Sequence, residues 1–286
     1  MGKHIVTSGC SFTISDGESI GSNNKSWARH LEDILKDVQI HNVGMSGVGN
    51  YVISMNCINV IKNLLNSKVS SDDIEVIIQW SGLYRPTLYS EIKRHCSLPF
   101  NEINDEFYDL EVRDKEGRFI NTAGQIRKQD GFWMDYFEKY FGTGNAFINT
   151  LDCILKTQWY LKSKNIKYKM FNSWDTFTMS KKNSFLDRIF GQGDKGNQHG
   201  KEVYNNKNNI LLKDVYGYSK NLWDMIDWNN FWVFNNENVK FGGMLQWVQN
   251  NLEYEDWYVS YGNDFHVPTN SSLKFTEEVV LPWLEK

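Results

Sequence analysis

The apolar positions of this chain fall into short runs that alternate with helical stripes. His4-Ile5-Val6-Thr7 is a brief apolar run that stops in Ser8-Gly9-Cys10-Ser11-Phe12-Thr13, the pattern of a buried strand ending at a tight turn. From Ser26, which is placed to cap a helix, Trp27, Leu31, Ile34 and Leu35 recur at helical spacing. Val38 to Val43 reads as a second strand and runs into the glycine-rich turn Gly44-Met45-Ser46-Gly47-Val48-Gly49-Asn50. A helix over about Tyr51 to Leu65 carries Ile53, Cys57, Ile58, Ile61 and Leu65 on one stripe, and Ile74 to Trp80 is a third strand that closes in Ser81-Gly82. A helix over about Asn145 to Lys162, a strand over Ile166 to Phe171 and a last helix over about Asn270 to Leu284 complete the pattern.

Strand and helix in alternation imply an α/β fold: a parallel sheet with right-handed crossovers and helices on both faces. Two long segments interrupt the alternation, at about 86–142 and 175–258. Segments of that length inside a compact domain are usually functional. They are expected as insertions that form a cap or lobe over the carboxyl edge of the sheet, within a single domain spanning 1–286. No internal repeat and no linker divides the chain.

Composition narrows the function classes. The 286 residues are 41% hydrophobic, enough for one sizeable core, and the formal net charge of −4 gives no electrostatic case for nucleic acid or an anionic membrane. No apolar run is long enough to span a bilayer, and the first residues hold no secretory signal. Cys10, Cys57, Cys96 and Cys153 are widely spaced, which argues against a disulfide framework or a zinc site and for a reducing compartment. The remaining histidines, His4, His30, His41, His95 and His199, lack ligand-like spacing. Trp223, Trp228, Phe231, Trp232, Phe234, Trp247 and Trp257 offer either a stacking platform for sugar rings or a core; burial of aromatics favours the core.

The strand ends carry the candidate chemistry. In a doubly wound sheet Ser11, Gly47 and Ser81 all follow strands and face one rim, while Asp264 and His266 lie just before the last helix. A serine, a backbone donor, a polar side chain and an acid–histidine pair are the parts of an acyl-transfer site. Gly44, Gly47 and Gly49 also mimic a phosphate-binding loop, but no acidic residue follows where a dinucleotide site needs one. Cys10 precedes the nucleophile position without a visible thiolate-stabilising neighbour and is expected to pack.

These blocks resemble the SGNH hydrolases, also called GDSL esterases and lipases. Gly9-Cys10-Ser11-Phe12-Thr13 is similar to the family's first block, Asn42-Val43-Gly44-Met45-Ser46-Gly47 to its second, and Asn263-Asp264-Phe265-His266-Val267-Pro268 to its last. Gln79-Trp80-Ser81-Gly82 stands where the third block, Gly-x-Asn-Asp, belongs. The nearest likeness is a branch encoded by tailed phages and some bacteria, with Gly-Cys-Ser-Phe-Thr first and a Trp-Ser segment followed by an arginine, here Trp80-Ser81 and Arg85.

The resemblance implies a flavodoxin-like three-layer sheet. It implies a serine esterase acting on a small acyl ester, O-acetyl on carbohydrate among them, without metal or organic cofactor. Ser11 would be the nucleophile, His266 the base and Asp264 the acid, with Gly47, Ser81 and Asn50 around the oxyanion. A soluble protein of the cytoplasm or virion is the matching expectation. Two departures stand out. The third-block asparagine is absent, and losing such a donor costs about 2.7–4 kcal/mol of transition-state stabilisation. The family spacing Asp-x-x-His places Asn263, not Asp264, at the usual acid position. The alternative is a catalytically weak or inactive binding or virion-associated protein on the same frame.

Overall fold

The computed structural model describes residues 2–14, 24–90, 118–121, 140–180, 203–258 and 266–285. Five strands form the central sheet: β1 (Lys3–Ser8), β2 (Val38–Asn42), β3 (Ile74–Trp80), β6 (Lys167–Asn172) and β9 (Phe231–Trp232). Their order is β2-β1-β3-β6-β9 and every neighbouring pair is parallel. Two small antiparallel pairs lie apart from it, β4 (Thr87–Ser90) with β5 (Arg118–Asn121) and β7 (Thr178–Met179) with β8 (Ile210–Leu211).

The pleat sorts the strand residues onto two faces. Val6, Val76, Ile78 and Met170 share one hydrophobic cluster with α3 (Asn50–Asn66) and α4 (Thr143–Ser163), through Ile53, Cys57, Ile61, Phe147, Leu151 and Ile154. Ile5, Ile77 and Phe171 share the other with α2 (Trp27–Ile34), α5 (Met244–Asn251) and α6 (Thr269–Phe275). The layers are therefore helix, sheet, helix. Large side chains on both faces, Trp27, Trp80, Phe147, Phe171 and Phe275, are almost wholly buried. At about 1.5–3 kcal/mol each, this burial outweighs the individual hydrogen bonds of the rim, so the frame sets where the loops stand.

The expected elements appear within a residue or two of their predicted ends. Ser26 caps α2 by accepting from the Arg29 amide, and Gly49, not a side chain, precedes α3. The last helical run extends from Thr269 to Leu284, with a π-helical stretch at Thr276–Val280 between α6 and a final turn, Leu281–Leu284.

The second long segment differs from the cap expected of it. Its described parts, 175–180 and 203–258, include the outer strand β9 and the helix α5, both built into the frame. The aromatics explain why. Trp223 and Phe231 are buried in the first cluster and Trp247 and Trp257 in the second, while Trp228, Trp232 and Phe234 pack against these clusters. They act as core, as their burial tendency predicts. Among the described residues no helix is long and apolar enough to cross a membrane.

Candidate functional site

The turn after β1 is held by close packing and by neutral hydrogen bonds. Ser11 opens α1, a single helical turn over Ser11–Ile14, and is half-buried at the carboxyl end of the strand. The Thr13 and Ile14 amides donate back to the Cys10 carbonyl at 2.8 and 3.3 Å. Thr13 Oγ1 donates to Gln79 Oε1 at 2.6 Å, and the Trp27 indole donates to the same oxygen at 3.0 Å. The Thr13 carbonyl accepts from Ser26 Oγ at 2.6 Å and from Asn42 Nδ2 at 3.0 Å. A Cβ on Gly9 would lie 2.0 Å from Thr13 Oγ1, so only glycine lets the chain fold back this closely.

The second turn is tied to the first. Asn42 Oδ1 accepts from the Gly44 amide at 3.0 Å, and the Met45 amide donates to the Gly9 carbonyl at 3.0 Å. Gly47 has φ of 73°, the left-handed region that glycine occupies without strain. Asn42 and Gln79, read from sequence as members of motif blocks, thus serve as scaffold for the turn that carries Ser11.

The third strand end departs from expectation. Ser81 is fully buried, its amide donates to Asn50 Oδ1 at 2.8 Å, and its carbonyl accepts from Asn50 Nδ2 at 3.2 Å. Asn50 Nδ2 also donates to Thr150 Oγ1 at 3.1 Å. Both amide hydrogens of Asn50 are used, so this residue braces Ser81 to α4 and is not placed as an oxyanion donor. The reason is its position as the first residue of α3, where its side chain meets the Ser81 backbone head-on. The Ser81 hydroxyl is buried, with no hydrogen-bond partner among the described residues.

The far end of the chain returns to the first turn. The His266 ring lies with its centroid 5.0 Å from that of Phe12, the residue after Ser11, and its Nε2 atom is buried. Local contacts fix this return. Asn24 Nδ2 donates to the Val267 carbonyl at 2.9 Å, the Lys25 amide donates to Thr269 Oγ1 at 2.9 Å, and the His30 ring bonds the Thr269 carbonyl at 3.0 Å. Asp264 and Asn263 lie outside the described residues. So does Cys96, and Cys10, Cys57 and Cys153 are free thiols, all buried.

The sequence did not single out the turn after β6. Ser173 Oγ donates to the Trp80 carbonyl at 2.9 Å and sits 3.4 Å from the Cys10 sulfur. Trp174 packs on Phe12 at 5.5 Å between ring centroids, and the Arg85 guanidinium stacks on Trp174 at 5.2 Å. Arg85 also contacts Cys10, so the thiol has a cationic neighbour that sequence reading did not find. Full burial keeps Cys10 a packing residue. The available signal was that Asn172-Ser173-Trp174 ends a strand in the same manner as Trp80-Ser81-Gly82.

Behind this rim lies a cavity of about 590 Å³, lined by Asn50, Arg85, Phe141, Thr150, Lys156 and Trp159 among others. Its size suits a small ligand. Ser11, Gly47 and His266 do not line it.

No family model matches the chain, and no curated protein matches it. Among solved structures, it is similar to Est24, a carbohydrate acetylesterase from Sinorhizobium meliloti, at 11% identity and a TM-score of 0.37 over 99% of each chain. A likeness of that size carries no argument about the chemistry here.

Proposed function

We propose that this chain is a serine ester hydrolase. One observation supports the reading above the others: the imidazole of His266 returns across most of the chain to lie on Phe12, next to the half-buried Ser11 at a strand's carboxyl end. Ser11 Oγ attacks the acyl carbonyl while His266 takes its proton, and the carbonyl π electrons move onto oxygen. The amides of Ser11 and Gly47 hold that oxyanion, with Ser81 beside them. The C–O bond of the ester then breaks, and the leaving alkoxide takes the proton from His266. Water, deprotonated by the same imidazole, releases the acid from Ser11. Asp264, or Asn263 at the family's usual spacing, orients the ring. We assign the acyl group to a small one such as acetyl, and the alcohol to a carbohydrate seated toward the 590 Å³ cavity.

Treatment with a fluorophosphonate probe tests this reading. The expected result is a single covalent adduct on the peptide that carries Ser11, lost in Ser11→Ala, together with hydrolysis of 4-nitrophenyl acetate. Absence of both adduct and turnover removes the reading. That result would favour the second one, a binding protein on a hydrolase frame, which is supported by the missing third-block asparagine and by Asn50's commitment to Ser81 and Thr150.

A further inference from the structure

The turn after β3 sends one cation back to the proposed site. Arg85 Nη1 donates to the Val48 carbonyl at 3.5 Å, the long limit of a hydrogen bond, and its guanidinium contacts the Cys10 thiol and the face of Trp174. Val48 follows Gly47 and Cys10 precedes Ser11. A single guanidinium therefore touches the neighbours of both residues whose amides are assigned to the oxyanion.

The charge at this point is not balanced within the described structure. The ion pairs among the described residues join Lys25 to Asp33, Arg29 to Glu32 and Lys162 to Asp227, and none involves Arg85. A carbonyl dipole, a thiol and an indole face make a half-buried cation tolerable but do not neutralise it. Burial pulls the guanidinium's pKa down, opposed by its contact with Cys10, yet arginine stays charged in proteins. Of its five N–H donors, the carbonyl and the sulfur occupy the minority. Arg85 thus keeps a positive charge and open donors against the residues that flank Ser11 and Gly47, which fits an anion that exists only during reaction.

We infer that Arg85 is a catalytic residue of the proposed hydrolase, and that its guanidinium donates to the oxyanion formed when Ser11 attacks. It takes the place of the side-chain amide that the third block lacks. No proton leaves the arginine: the Ser11 proton goes to His266, and Arg85 only stabilises charge that appears on the carbonyl oxygen and disappears when the tetrahedral adduct collapses. The inference rests on the hydrolase reading.

Steady-state kinetics on 4-nitrophenyl acetate, a neutral ester, test it in the full chain. Arg85→Ala and Arg85→Gln are expected to lower kcat roughly 10²–10³-fold, the effect of removing one oxyanion donor, with KM little changed. Guanidinium ion added at millimolar concentration is expected to restore part of the turnover of Arg85→Ala in a saturable manner, and none of Ser11→Ala. Should Arg85→Ala fail to fold, Arg85→Lys decides: a fall in kcat of tenfold or more, at unchanged KM, supports the role. Retention of wild-type kcat in the folded variants, or a loss seen only in KM, overturns it. A folded Arg85→Ala that loses kcat but is not rescued by guanidinium also overturns it, as the signature of a structural role. Wild-type protein that neither turns over the ester nor labels at Ser11 removes the hydrolase reading, and this inference with it. Turnover by wild type with an indifferent Arg85→Ala removes this inference alone.

Discussion

Two turns leave the same rim of the sheet and are built on opposite plans. The turn after β6 holds a half-buried carboxylate, Asp175, which accepts from the Phe177 and Thr178 amides, the Thr178 and Tyr204 hydroxyls and the Asn206 amide. Burial raises its pKa, although the bonds from Thr178, Asn206 and Tyr204 act to lower it. The donors that Asp175 gathers are spent inside the protein, and the result ties Tyr204 and Asn206 to this turn. The turn after β1 holds its backbone as firmly, through Gln79, Asn42 and Ser26. Yet it leaves Ser11 half-buried, with the His266 ring on the following Phe12 and Arg85 at the preceding Cys10. The hydrogen bonds of Asp175 serve architecture, and the spare donors of Arg85 are what the proposed chemistry would use.

Substitution should separate the two turns. The largest effect is expected for Ser11→Ala: a loss of kcat on the order of 10⁶-fold, as for a serine nucleophile that works in concert with its base. Its thermal unfolding should match wild type, and an equal fall in Tm would erase the contrast. Asp175→Ala should do the reverse. Orphaning several buried donors is expected to cost roughly 3 kcal/mol or more of unfolding free energy, with kcat per folded molecule unchanged in urea-free buffer. A smaller effect concerns acid. His30 is held below the ordinary imidazole range chiefly by burial, opposed by its bond to the Thr269 carbonyl; His41 is held below it by burial and then by His4, stacked at 5.3 Å. The folded state binds these protons less tightly than the unfolded chain. Their contribution to stability is therefore complete above the unfolded value of about 6.5 and is lost as pH falls below it. Urea midpoints measured down the acid limb should fall for wild type, and fall less for the double variant His30→Gln, His41→Gln. Identical slopes would refute that assignment.

Much of this molecule was legible in its sequence because much of it is local. The four longer strands and most of the helices on them show in spacing, and the proposed site positions were read from two strand ends, for Ser11 and Gly47, and from the turn before the last helix, for His266. The strand β9 did not show. It has two residues, Phe231 and Trp232, and exists only through pairing with Met170 and Phe171 from a distant part of the chain. Helix α5 was hidden in an aromatic-rich stretch, though Met244, Leu245 and Val248 hint at its buried side. Arg85 was visible as a residue and not as a charge. Nothing local shows that a guanidinium will be turned inward onto Trp174 and Cys10. Asn50 carried the opposite error, since an amide near a glycine-rich turn looks available until its partners Ser81 and Thr150 arrive from β3 and α4.

The central claim is that the imidazole near the end of the chain activates the serine near its beginning. The rate at which a fluorophosphonate modifies Ser11, compared between wild type and His266→Gln, tests it most directly. The account predicts that the variant, folded as wild type by circular dichroism, is modified at least about 10²-fold more slowly, the lower bound for loss of a general base. Modification of the variant at the wild-type rate would contradict it.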